Sequence, residues 1–494
     1  MDFRYVNSRL LYHTLIGLIL FDLVAMAAFI FPVVNWALLP VAVVAFVWIL
    51  LKDIRWGILL PLIELAWGSF GSEIFWEVGS FRLSLRLVLF GTFLTVWFIQ
   101  TYVMKKYDRF PVASSLGINF ALLVFIVLWG IAVGFLRGNG LNNLFFDANA
   151  YLYILYVPLW LQALKRTPIQ DVVTVVIATA AALSVKTLLL FHVFVNQYDA
   201  ANIAFVYIWL RDTRIGEITQ AGGSLWRIFI QSQIFIATVF MWYVVYIMTR
   251  LNLRYRSMLM IAASVLVAAL MVSMSRSYWL GVAASLVIIA TVAARYLIPR
   301  WRQFVRAVTS LIGTMVIAFG IMTVLVFLPY FGAQPLAQTL FNRLAETGDV
   351  AGISRLHLLP PLLSAVSVHP VIGQGFGATV TYQSSDPRIK NALNPSGTRT
   401  TFAFEWGYLD QLLKLGAIML IVFGVILVYQ FYRGWRIIKV GTRHAILIAG
   451  LLAGLLCVMI VHVVSPYLNH PLGLGYLMLI MVLLEAISSK KAYE

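Results

Sequence analysis

The chain has 494 residues, 62% of them hydrophobic and only 11% charged, with a mean hydropathy of +0.92. That balance excludes a soluble globular domain, whose surface needs more charge, and the short alternation of a membrane β-barrel is missing. The formal net charge of +17 would suggest nucleic acid in a soluble protein, but most basic residues stand in short connections between apolar runs, the mark of one membrane face, so no nucleic-acid partner is expected.

Apolar runs long enough to cross a bilayer as helices recur along the whole chain, about fourteen of them. They cover 11–31, 33–51, 56–70, 83–104, 113–136, 149–164, 171–195, 226–249, 257–274, 277–298, 304–329, 403–432, 444–464 and 471–488. The third and sixth are short. No small-residue cleavage site follows the first run, so it reads as a helix and not as a signal peptide. The single cysteine, Cys457, lies inside an apolar run; it excludes an intrachain disulfide and a cysteine-rich metal site. The expected fold is an all-α polytopic membrane bundle: spans 1–11 within 1–329, one large loop over 330–402 carrying short helices, and spans 12–14 within 403–494.

Lysine and arginine then orient the bundle. With the N-terminus in the cytoplasm, every inside connection is basic, from Lys52 and Arg55 through Lys105, Lys106 and Arg109 to Arg433, Arg436, Lys439 and Arg443. The outside connections near 32 and 465–470 contain no lysine or arginine. Both termini are expected in the cytoplasm and the large loop on the opposite face. Within that loop 334–346 and 354–368 read as short helices, the second interrupted by Pro360-Pro361. Gly373, Gly375 and Gly377 then make a turn, and 381–400 reads as polar and mobile. A second outside loop, 197–225, carries Arg211, Arg214 and Gly222-Gly223. The two halves of the chain do not repeat each other.

Several arginines break the charge rule by lying outside: Arg211, Arg214, Arg227, Arg276, Arg343, Arg355 and Arg399. Arg276 is the sharpest, because it stands between two spans with almost no loop, where a charge is costly without a partner. A guanidinium grips phosphate bidentately and stays charged. The alternatives are snorkelling or pairing with Glu217 or Glu405. The stretch from Gly373 to Gly377 can cradle phosphate with its amides or simply form a tight turn. Glu405 and Asp410 open the next span near the outer surface. A carboxylate there can complement the helix dipole or accept a proton from a hydroxyl, and Trp406 beside Glu405 suits a sugar face. Asp22, Glu64, Lys186 and Glu485 lie within spans, where ionisable groups are functional candidates or structural pairs. His192 and His462 read as hydrogen-bonded helix residues, with no spacing that supports a metal.

Ser275-Arg276 at a span boundary, a long loop with Arg355, then His369-Pro370-x-x-Gly373-x-Gly375 and a span containing Leu412-Leu413-Lys414-Leu415-Gly416 resemble the O-antigen ligase and polymerase superfamily of bacterial envelope glycosyltransferases. The resemblance covers roughly 200–480. It implies a periplasmic active site in the inner membrane, an undecaprenyl pyrophosphate-linked oligosaccharide as donor, no metal, no cofactor and no nucleotide sugar. It implies that Arg276 and Arg355 hold the pyrophosphate, with Arg211 and Arg214 as secondary contacts. Ligases of the family place a histidine at the start of the span after the loop; here Glu405 stands there, which favours a polymerase over a ligase. The expectation is an inverting polysaccharide polymerase with Glu405 as base and Trp406, Tyr408 and Tyr382 along the sugar path. Its partners would be the lipid-linked donor, membrane lipids and a chain-length regulator. A ligase transferring glycan to lipid A core and a lipid-linked oligosaccharide flippase are the alternatives.

Overall fold

A computed structural model describes residues 6–78, 81–196, 200–222, 225–249, 256–296, 301–328, 350–386, 389–391 and 393–490. Each apolar run carries a helix. In chain order they are α1 (Ser8–Ile30), α2 (Pro32–Lys52), α3 (Trp56–Trp67), α4 (Leu85–Phe98), α5 (Ser115–Leu136), α6 (Leu141–Tyr151), α7 (Tyr156–Leu164), α8 (Ile169–Asn196), α9 (Ala200–Asp212), α10 (Ile234–Thr249), α11 (Arg256–Val272), α12 (Arg276–Tyr296), α13 (Trp301–Phe327), α14 (Val350–Val368), α15 (Gly407–Lys439), α16 (Ala445–His462) and α17 (Pro471–Lys490). Among the described residues, eleven helical segments are long and apolar enough to cross a membrane, and α3, α11 and α12 give shorter apolar helices. The protein is an all-α polytopic membrane protein.

Several starts are set by a side chain that takes an otherwise unsatisfied amide. Asn7 accepts from the Leu10 amide, Ser84 from Leu87 and Ser114 from Gly117. The sixth run is longer than expected, because α6 and α7 join into one segment of 24 residues, Leu141–Leu164. The eighth is shorter. Its first residues form strand β4 (Leu225–Ile230), paired antiparallel with β3 (Gly216–Gly222). A short apolar run can be strand or helix, and periodicity does not separate them. Two more hairpins, β1 (Phe75–Val78) with β2 (Phe81–Ser84) and β5 (Val380–Gln383) with β6 (Thr398–Thr401), complete the strands.

Burial places the core. The α10 segment is 83% buried and α17 78%, against 22% for α1 and 11% for α2. The first two helices therefore lie at the rim, facing lipid, and α8, α10, α16 and α17 form the centre. Charges inside the bundle are paired, as the cost of an isolated one requires. Lys186 meets Asp22 at 2.9 Å, Arg86 meets Glu64 at 2.9 Å and Arg433 meets Glu485 at 2.7 Å. His192 bonds the Leu325 carbonyl.

Polar contacts sort the connections into two ends. At one, Asn7 bonds Asp171 and Thr174, Lys165 meets Asp108, and Arg256 bonds Thr309 and Ser310. At the other, Arg82 bonds the Asp212 carbonyl, Arg227 the Ser273 carbonyl, Ser465 bonds Ser277 and Tyr467 bonds Gln231. The large loop joins this second end.

The helix expected over 334–346 and Arg343 lie outside the described residues. Helix α14 runs unbroken through Pro360 and Pro361, contrary to the expected interruption. Its Leu358, Leu362 and Val366 pack with Val380, Tyr382, Phe404 and Leu413, and this burial offsets the amides the prolines lack. The stretch 381–400, expected to be mobile, is held at both ends by the pairing of β5 with β6.

One carboxyl stands apart. Glu73, in the connection between α3 and β1, is 4% exposed, and neither of its oxygens has a hydrogen-bond partner among the described residues. Burial pushes it up to about 8; Lys186 and Arg86 oppose that push, and Asp22 and Glu64 add to it. A carboxyl raised in the folded state stays neutral after the unfolded chain has ionised, near pH 4.3. Stability is therefore lost as pH rises from there to about 8, by at most about 1.4 kcal/mol per pH unit, and is level above. Glu73→Gln is expected to flatten that decline, with a higher melting temperature than wild type at pH 8.5 and little difference at pH 5. Melting curves in detergent at the two pH values check this; parallel curves for the two proteins would refute it.

Candidate functional site

The second turn of α14 and the lead into α15 bring Arg355 and Glu405 together. Their side chains form an ion pair, 38% and 50% exposed, and the Trp406 indole donates to the Arg355 carbonyl at 3.1 Å. Fifty residues of chain separate these groups, and the small core beneath α14 closes that distance. Helix α15 begins at Gly407, so Glu405 stands in the extended lead-in and not in the first turn. Gly407 can be nothing larger, because a Cβ there would collide with His462.

His462 is completely buried behind Gly407, where its Nδ1 accepts from the Leu468 amide and its ring meets Tyr408 edge-on. It braces the lead-in from inside and does not face the open side. Tyr408 is half-buried and donates to the Met459 carbonyl at 3.2 Å. Arg276 opens α12 across the same end of α16: its neighbour Ser277 bonds Ser465, and Gly281 packs on Val461 and Cys457. The carboxylates first considered as its partners are engaged elsewhere, Glu405 with Arg355 and Glu217 with Arg227.

The glycine turn leaves no backbone amide from Gly373 to Gly377 without an acceptor inside the protein. Gly373 donates to the His369 carbonyl, Gln374 to Leu413, Gly375 to Lys414, Phe376 to Gly130 and Gly377 to the Asp147 carboxylate. Helix α15 breaks at Gly416 (φ 75°, ψ 171°). On the far side of the break the Ala417 and Ile418 amides donate to Pro370 and Val371. The loop thus fills the gap in the helix and satisfies the freed backbone groups, as a buried break must be. Gly373 and Gly375 have φ near +80°, and a Cβ on either would collide with backbone of α15 or α5. They are glycines for that close approach.

A buried charge cluster locks the joint. Lys414 Nζ lies 2.7 Å from Asp147 and 2.6 Å from Asp410, with Lys414 only 5% exposed. Asn469 donates to the other oxygen of Asp410. Asp410 was expected beside Glu405 at the surface; it is 3% exposed and belongs to this cluster. Sequence reasoning passed over Asp147 and Asn469 and gave Lys414 no role of its own, although a lysine inside an apolar span is itself a signal.

The other expected substrate contacts, Tyr382 on the sugar path and Arg211 and Arg214 as secondary pyrophosphate contacts, divide. Tyr382 is 7% exposed in the loop's own core, with its hydroxyl toward Ser354, so it does not line an open path. Arg211 is exposed and pairs with Asp212 at 2.7 Å. Arg214, three residues on, lines a separate chamber together with Arg82, Arg86 and His470, residues not anticipated from sequence. No protein-family model, curated protein or solved structure matches the chain.

Proposed function

We propose that the chain is a glycosyltransferase of the bacterial inner membrane that polymerises oligosaccharide repeat units carried on undecaprenyl pyrophosphate. In this reading some fourteen helices cross the bilayer, both termini are cytoplasmic, and the Arg355–Glu405 pair faces the periplasm. The observation that carries it is that pair, a half-exposed guanidinium and carboxylate beside an indole at the loop end.

In the resting protein each partner holds the other. A donor pyrophosphate carries more charge than one carboxylate and binds Arg355 bidentately, which releases Glu405. Glu405 then takes the proton from the acceptor hydroxyl. The acceptor oxygen attacks the anomeric carbon, the bond to the pyrophosphate oxygen breaks, and the single displacement inverts that carbon. Arg355 and Arg276 stabilise the negative charge on the departing pyrophosphate. Arg276 is at the N-terminus of α12, where the helix dipole disfavours a cation and favours an anion; a bound pyrophosphate would reverse that mismatch.

Glycan analysis tests the reading in cells deleted for the gene and complemented with it. Complementation is expected to restore a high-molecular-weight ladder, with single repeat units still reaching the periplasm in the deletion. Repeat units trapped in the cytoplasm of the deletion strain would instead identify a flippase. Full-length polymer left off the lipid A core would identify a ligase.

A further inference from the structure

A cavity of about 500 Å³ opens at the loop end, bounded by the β1–β2 hairpin, α6, the turn after α9 and the start of α17. Its wall combines Arg82, Arg86 and Arg214 with Phe70, Phe145 and Phe146. Arginines recognise carboxylate and phosphate, and aromatic rings offer flat apolar faces.

Two of the arginines are fixed in place. Arg82 pairs with Glu77 at 2.8 Å and donates to the Asp212 carbonyl at 3.0 Å. Arg86 is held by Glu64 and by the Ser69 carbonyl at 2.9 Å. Arg214 differs: its guanidinium has no hydrogen-bond or ion-pair partner among the described residues. Its backbone is also costly. Helix α9 ends in a motif in which the Arg214 amide bonds the Arg211 carbonyl and the Ile215 amide bonds Leu210, with Ile215 and Leu210 buried. The residue in Arg214's position there must be left-handed, and its φ is 55°. Glycine or asparagine normally fills it. An exposed arginine on a cavity wall thus holds a backbone conformation that goes against local preference.

His470 adds no charge, since burial and then the nearby Arg86 push its imidazole down to about 3. Glu77 also lines the chamber, paired with Arg82, and Arg86 is paired with Glu64, so the unbalanced positive charge at the wall is that of Arg214. The chamber adjoins the Arg355–Glu405 site: Phe146 stacks on Phe402 at 6.4 Å between ring centres, three residues before Glu405.

We infer that this chamber is the acceptor subsite and that it takes a glycan bearing an anionic substituent, with Arg214 and Arg82 on the acid group and the phenylalanines on the sugar faces. The assignment as acceptor rests on the polymerase reading; the preference for an acidic glycan does not.

The test is binding, measured by calorimetry on the full-length purified protein in detergent, with trigalacturonate, maltotriose and glucose 1-phosphate as probes. Trigalacturonate or glucose 1-phosphate is expected to bind at least about tenfold more tightly than maltotriose. The stronger of the two tells whether carboxylate or phosphate is the substituent. Arg214→Gly should erase the preference. Glycine suits the left-handed position, so loss of fold cannot account for the result, and Arg214→Lys should restore part of it. Equal binding of acidic and neutral probes, no binding at all, or an Arg214→Gly protein that keeps the preference would overturn the inference. Glu405→Gln serves as the reference for the catalytic reading. If it abolishes polymer while Arg214→Gly keeps acid preference, only the chamber assignment fails. If it still polymerises while the chamber binds acidic glycan, the catalytic reading fails alone.

Discussion

Glu405→Gln is expected to lower polymerisation by about 10²- to 10⁴-fold, the usual loss when a positioned base is removed, and to leave the protein's yield and melting temperature unchanged. The separation of the two effects follows from exposure. The Glu405 and Arg355 side chains are 50% and 38% exposed, and an ion pair so wet contributes only about 0–1 kcal/mol to folding. Glutamine keeps the shape of glutamate but accepts no proton. Arg355→Gln should cost a further distinct loss of about 10²- to 10³-fold, from charge no longer stabilised on the leaving group. The double variant discriminates roles. If Glu405 serves only to orient Arg355, the double variant will be no worse than Arg355→Gln. If Glu405 is the base, it will be worse than either single change, down to the uncatalysed floor. Polymer ladders of wild-type length from Glu405→Gln, at equal protein levels, would end the proposal that it is the base.

The helices were legible because a run of apolar residues leaves few alternatives in a bilayer. The segment Ser115–Leu136, with its Ser114 cap, is found within two residues of the expected run. What escaped were elements whose form depends on partners remote in sequence. Leu225–Ile230 is apolar but for Arg227 and runs on towards the helix that follows it, and only its pairing with Gly216–Gly222 makes it a strand. Pro360 and Pro361 look like a helix break until the core on the other side of α14 is known. The glycine motif was visible, but its purpose was not: Gly373 meets the gap at Gly416, more than 40 positions away, Gly375 packs on Gly134 of α5, and a sequence does not show that the later helix is broken. Arg355 and Glu405 were singled out separately; that they form a pair is a product of the tertiary fold.

Lys414→Met is expected to be the most destabilising single change at the site, by about 3–5 kcal/mol, because it strands buried carboxylates without their cation. Lys414 lies between Asp147 and Asp410, with all three side chains nearly closed to solvent. Asp147 also accepts the Gly377 amide, so the repulsion acts where the loop is seated in the α15 break. Little folded protein should survive extraction, as read by size-exclusion profiles and melting temperature in detergent. The opposite substitutions separate charge from packing. Asp147→Asn with Asp410→Asn in the Lys414→Met background removes the stranded charges and should recover a large part of the loss, since an uncharged buried cluster of similar volume is often as stable as the ionic one. The recovered protein should also regain its loop contacts, seen as protection of the 371–377 amides from hydrogen exchange. A Lys414→Met protein that melts with wild type would mean that this cluster does not hold the loop in place. The seating of Arg355 against Glu405 would then rest on the Gly416 break and the small core under α14 alone.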